Sequence, residues 1–132
     1  MNPLLPKIFQ ANRYFIQEIN DKLKPFGIFY SQWSILYLVD HYGAMTLTEI
    51  WQQLNVEAPT VTRTVNRLES LGWIERQQGA DKRAKIITLT KEGQEKMPAI
   101  VEAVMGYEAM ISQKLTAEEQ QQFLYLLAKM KE

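Results

Sequence analysis

The sequence contains no cysteine, which excludes disulfides, thiolate metal sites and sensing by thiol oxidation. Histidine is nearly absent too: His41 stands alone, with no metal-ligand partner at a recognisable spacing. Glycine is sparse, and no glycine-rich phosphate loop is present. No long hydrophobic run occurs. The strongest, Ile35 to Val39, is far below the roughly 20 residues that span a bilayer. Leu4-Leu5 is interrupted by Pro6 and Lys7, too soon for the apolar region of a signal peptide. These absences predict a cytoplasmic protein with no membrane partner, no metal and no cofactor. A surplus of charge is also lacking, since 15 Lys+Arg face 15 Asp+Glu.

What is present suits an ordinary globular chain: 132 residues, 46% hydrophobic and 23% charged. That length fits one domain, or one small module carrying dimerisation helices. The neutral total conceals an asymmetry. Between Glu57 and Lys91 seven cations (Arg63, Arg67, Arg76, Lys82, Arg83, Lys85, Lys91) oppose four anions, and the remainder carries the matching negative excess. A basic middle between acidic ends orients a molecule in the field of a polyanion.

The apolar periodicity divides the chain into elements. Leu4, Ile8, Phe15, Ile19 and Leu23 recur at helical spacing, with Leu5, Phe9 and Ile16 forming a second strip. A helix apolar on more than one side asks for more burial than one core supplies. Pro25 and Gly27 end it. A second helix is predicted from Ser31 to His41, and a third from the capping box Thr46-Leu-Thr-Glu49 to Leu54. Asn55 suits a left-handed exit. The fourth helix, Ala58 to Leu71, accommodates Pro59 in its first turn and stops at Gly72. The period then falls to two: Trp73 to Arg76 and Lys85 to Leu89 predict a hairpin around a polar turn. Thr90 caps a long helix to about Lys114, in which Pro98 predicts a bend or local break. A second capping box, Thr116-Ala-Glu-Glu119, opens the last helix. The predicted order is α-α-α-α-β-β-α-α.

Two short helices joined by Asn55, Val56 and Glu57 have the form of a helix-turn-helix. On the second, Val61, Val65, Leu68 and Leu71 form an inward stripe, while Pro59, Thr60, Arg63, Asn66, Arg67 and Ser70 point outward. Such a face can read a major groove: Arg pairs with guanine, Asn with adenine, and the Thr methyl packs on thymine. It can equally be a solvated amphipathic face. The basic turn Asp81-Lys82-Arg83 follows directly, and an arginine is stabilised in a narrow minor groove. Asp81 is then expected to orient Arg83 or a neighbouring arginine; the alternative is a loop with incidental charge.

Pro59-Thr-Val-Thr-Arg63, Leu68-Glu-Ser-Leu-Gly-Trp-Ile74, Arg76, Asp81-Lys-Arg83-Ala84, Leu89-Thr90 and Gly93 together resemble the MarR family of winged helix-turn-helix regulators. The resemblance runs from about Gly27 to Gly93, with matching helices on either side. It implies a mainly α fold with a small β-hairpin wing: one domain over 1–132, with a DNA-binding lobe at about 31–90 and dimerisation helices at about 1–25 and 91–132. It implies that Arg63 is the recognition-helix arginine with Thr60 and Thr62 beside it, and that Arg83 is the wing-tip arginine with Asp81 as acidic companion. Double-stranded DNA and a second copy of the chain are the implied partners. Phe29 departs from the pattern, standing where Ser or Thr commonly caps the second helix.

The resemblance also implies a small aromatic or phenolic ligand between the dimerisation helices and the DNA-binding lobe. Tyr14, Phe29, Trp33, Tyr37 and His41 crowd the first two helices, and Arg13 or His41 could face a carboxylate. Aromatic residues at helical spacing also serve simply as core. Two other functions stay open: an enzyme, for which only the acids near Glu92, Glu95 and Glu102 offer chemistry, and a winged helix that binds protein. The first is not expected, because those acids read as a solvated helix face.

Overall fold

The apolar strips near the N-terminus form α1, Leu4–Leu23, in a computed structural model that describes residues 1–79 and 84–132. A single 3₁₀ turn, Lys24–Phe26, ends on Gly27 and turns the chain into α2, Tyr30–Tyr42. Phe29 occupies the N-cap of α2 without a side-chain acceptor. Two other residues substitute: the Phe29 N–H donates to Gln32 Oε1 at 2.9 Å, and the Tyr30 N–H donates to Asn20 Oδ1 at 2.7 Å. Asn20 therefore also ties α1 to the start of α2.

A short strand, β1 (Met45–Thr46), precedes α3, Leu47–Leu54. The Thr46–Glu49 capping box forms as expected, with the Glu49 N–H donating to Thr46 Oγ1 at 3.1 Å. Helix α4 spans Ala58–Ser70, the wing strands β2 and β3 span Ile74–Gln78 and Lys85–Leu89, and α5 and α6 span Lys91–Ser112 and Ala117–Lys131. The sheet order is β1-β3-β2, antiparallel throughout, with Met45 opposite Ile87 and Arg76 opposite Ile87 on the other side. The wing is thus a three-stranded sheet and not a hairpin alone. Two residues are too few to show a period, so β1 has no signature of its own.

Helix α5 is continuous through Pro98, so of the bend or local break expected there no break occurs. Gln94, whose carbonyl loses its helical partner there, is exposed and can bond to water instead. The core gathers Leu23, Ile28, Ile35, Leu36, Ile50, Val65, Leu68, Ile74, Ile87 and Ile100, all essentially sealed from solvent. It lies where α2, α4, the sheet and α5 meet. Leu71 is not part of it. That residue lies at the C-cap of α4 and is 39% exposed, because the helix ends one turn after Leu68 and the chain swings away.

Candidate nucleic-acid interface

The turn between α3 and α4 depends on Asn55, which takes the left-handed conformation at φ 55°. Asparagine tolerates that region better than most non-glycine residues. The α4 helix then starts at Ala58 with Pro59 in its first turn, where a missing N–H costs no helical bond. Val61, Val65 and Leu68 are buried and hold the helix against the core. Each such side chain contributes roughly 1.5–3 kcal/mol when fully removed from water. The opposite face carries Pro59, Arg63, Asn66, Arg67 and Ser70, all exposed, with Thr60 and Thr62 half-buried.

Local bonds set the chemistry of that face. The Thr62 hydroxyl donates to the Ala58 carbonyl at 3.0 Å and the Thr64 hydroxyl to the Thr60 carbonyl at 3.0 Å. Arg63 Nη2 lies 3.4 Å from Thr60 Oγ1, a bond within one helical turn. Among the described residues no carboxylate pairs with Arg63 or Arg67; the ion pairs are Arg76–Glu69 and Lys96–Glu92. Two exposed cations therefore keep their charge available for an anion.

Gly72, at φ 86°, turns the chain from α4 into β2. Thr90 then clamps the base of the wing: its N–H donates to the Trp73 carbonyl at 3.1 Å and its hydroxyl to the Gly72 carbonyl at 2.6 Å. The same hydroxyl accepts the Gly93 N–H at 3.0 Å and so caps α5. Helix α4, the wing and α5 share one junction. The expected wing-tip residues Asp81, Lys82 and Arg83 lie outside the described residues, as does the pairing expected of Asp81.

A contact not anticipated from sequence joins β2 to α4. Arg76 Nη2 donates to Asn66 Oδ1, and Arg76 Nε lies 3.5 Å from Glu69 Oε2. Arg76 belongs to the motif that carried the resemblance, but its distance of ten residues from Asn66 along the chain hid the contact.

The six residues considered for a ligand are not gathered into one site. Trp33 and Tyr37 line a hollow of about 350 Å³ with Ile19, Leu54, Val104 and Met105. Phe29 is 65% exposed and borders a different hollow beside Asn20 and Lys24. Arg13, Tyr14 and His41 are exposed, His41 stacking on Tyr37 with ring centroids 5.6 Å apart. Tyr107, at the seam of α1 and α5, is only 6% exposed and its hydroxyl has no hydrogen-bond partner among the described residues. Burial first, then the nearby Glu18 and Tyr14, push its pKa above the ordinary tyrosine value, so it stays a neutral O–H at physiological pH.

The terminal helices leave much apolar surface uncovered. Leu4, Leu5, Phe9 and Phe15 of α1 are exposed, and so are Phe123, Leu124, Tyr125, Leu126 and Met130 of α6. No residue of α6 is buried.

Comparison with known proteins adds a second line of argument. The sequence pattern of the MarR family matches residues 28–85. An uncharacterized HTH-type transcriptional regulator of Bacillus subtilis, YwoH, is 44% identical over 93% of this chain and 90% of its own length. Among solved structures, a cysteine-to-serine mutant of MarR from E. coli complexed with operator DNA is 29% identical, with a TM-score of 0.88 over 97% of this chain and 93% of that one. Overoxidized AbfR bound to DNA is 35% identical, with a TM-score of 0.81 over 98% of this chain and 90% of that one.

Proposed function

We propose, from the premise that this chain belongs to the MarR family and is a DNA-binding transcription regulator, that it acts in the cytoplasm as a homodimeric repressor of a pseudo-palindromic operator. The observation that carries the reading is the outer face of α4, where Arg63, Asn66 and Arg67 are exposed and the two arginines meet no carboxylate among the described residues. Two copies related by a two-fold axis set two such helices into successive major grooves, with half-sites about one helical turn apart. Arg63 reads a base edge, flanked by Pro59, Thr60 and Thr62, while Arg67 faces the backbone. Asp81, Lys82 and Arg83 extend the contact from the wing into the flanking minor groove.

The uncovered apolar surfaces of α1 and α6 support the dimer. A contiguous apolar surface on a soluble chain marks an interaction site, and two-fold pairing covers the same patch on both copies at once. Release by a small aromatic acid is the proposed induction, and the hollow beside Trp33 and Tyr37 is its best-supported seat. Such a ligand shifts the dimer only by binding one geometry more tightly than the other.

Selection of genomic fragments by the purified protein at near-physiological salt tests the reading. The expected result is a short inverted repeat upstream of genes, released in part by a panel of aromatic acids. Arg63→Ala is expected to cost roughly 1–3 kcal/mol of affinity and to relax preference at one position of each half-site. Retention of random DNA without a motif, unaltered by Arg63→Ala, favours a winged helix that binds protein.

A further inference from the structure

We propose that Arg76 sets the hydrogen-bonding face Asn66 shows to DNA, making Asn66 a donor that reads guanine and not the donor–acceptor pair that reads adenine. The inference rests on the DNA-binding reading above and adds a specificity-determining contact to it.

Arginine has N–H donors and no acceptor, so the carboxamide atom turned toward it must be oxygen. Arg76 Nη2 donates to Asn66 Oδ1, which turns the oxygen end of the amide toward Arg76. Arg76 pairs with Glu69 through charge, Nε lying 3.5 Å from Oε2 without a hydrogen bond among the described residues, and its side chain is 24% exposed. A hydrogen bond from a charged donor in such a setting is stronger than a neutral one. The amide is therefore not free to turn over. Among the described residues no acceptor takes the Asn66 Nδ2 hydrogens, and Asn66 is exposed on the outer face of α4. The part of the amide left without a partner among the described residues is its NH₂ group.

Guanine presents two adjacent acceptors in the major groove, N7 and O6, whereas adenine replaces the second with an N6 donor. With its oxygen engaged by Arg76, the carboxamide meets the first through its NH₂ and faces a donor in the second. Thymine offers a single acceptor, O4, and so gains less. Arg76 acts here through Asn66, as a positioning residue, with Glu69 balancing part of its charge.

The test is binding-site selection from random duplex DNA with the full-length protein, comparing wild type, Asn66→Ala, Arg76→Met and Arg76→Lys. Asn66→Ala flattens preference at one position and thereby identifies it. Guanine is expected there for wild type and for Arg76→Lys, which keeps a donor. Arg76→Met shifts the guanine-to-adenine enrichment ratio toward adenine by about tenfold, the scale of one good base contact. Glu69→Gln, a milder change, should shift it the same way if Arg76→Met does not fold by circular dichroism. Adenine at that position in wild type overturns the proposal, as does an Arg76→Met protein that binds every sequence more weakly with its preference unmoved. A wild-type protein that enriches no motif fails the DNA reading itself, and this inference with it.

Discussion

Gly93 is the third residue of α5, where alanine would ordinarily be the better helix former by roughly 0.5–1 kcal/mol. The fold reverses that preference. A Cβ at this position would lie 2.3 Å from the Trp73 carbonyl oxygen and 3.4 Å from Thr90 Oγ1. The oxygen belongs to backbone and already accepts the Thr90 N–H, so it cannot step aside like the tip of a flexible side chain. Gly93→Ala is expected to destabilise the protein by about 1–3 kcal/mol, the range for overpacking a well-filled site. Urea unfolding measures this directly: a lower midpoint with an unchanged slope is expected. A midpoint equal to or above wild type would mean that the junction of wing and α5 yields easily. Thr90 and Gly93 were both visible in the sequence as parts of a motif. Their reason is now physical: one hydroxyl bonds both the wing and the helix, and the absent side chain lets them meet.

The last helix poses a different question. An isolated helix of about 12–15 residues is marginal in water, and α6, at 15 residues, buries none of its side chains. Its capping box at Thr116 and Glu119, with bonds of 2.9 and 3.1 Å, starts the helix but cannot by itself sustain it. Phe123, Leu124, Tyr125 and Leu126 are consecutive and all exposed, Leu124 at 66%. Four neighbours on a helix face every direction, so a single docking surface within the chain could not cover them. The proposed two-fold dimer would cover them with a second copy. Leu124→Glu is accordingly expected to convert the dimer to a monomer in sedimentation velocity, and to weaken operator binding sharply, because one half-site alone holds the protein less firmly. A Leu124→Glu protein that keeps the dimer mass would move the interface elsewhere.

At the scale of the molecule, charge placement matters more than charge total. Cations and anions balance at 15 each, yet the segment that builds α4 and the wing is basic and the remainder acidic. The proposed dimer, presenting two basic segments to one duplex, would displace condensed counterions despite its neutral total. Operator affinity should therefore fall as a power of salt concentration. With about 6–10 phosphate contacts, the loss between 50 and 200 mM is roughly a thousandfold or more. Titrations by fluorescence anisotropy across that range check it. A flat dependence would mean that base contacts alone hold the complex, leaving the basic segment without a role in binding.

Much of the architecture was readable from residues alone, because capping boxes, left-handed turn positions and apolar spacing act over a few residues. The limits of α1 and α3, the exit at Asn55 and the strand Lys85–Leu89 all follow from such local rules. The outer face of α4 was legible for the same reason: helical spacing separates Arg63 and Asn66 from Val61 and Val65. Other features depend on groups far apart in the chain. Strand β1 exists because Met45 and Thr46 happen to lie beside Ile87 and Ile86. The cap of α2 comes from Gln32 and from Asn20 on another helix, not from Phe29. Trp33, Tyr37 and His41 touch one another while Tyr14 and Phe29 lie apart from them, since helical spacing reports burial without saying what covers it. The orientation of the Asn66 amide likewise required Arg76 to arrive from β2, and only the packed chain brings a donor without acceptors to that oxygen.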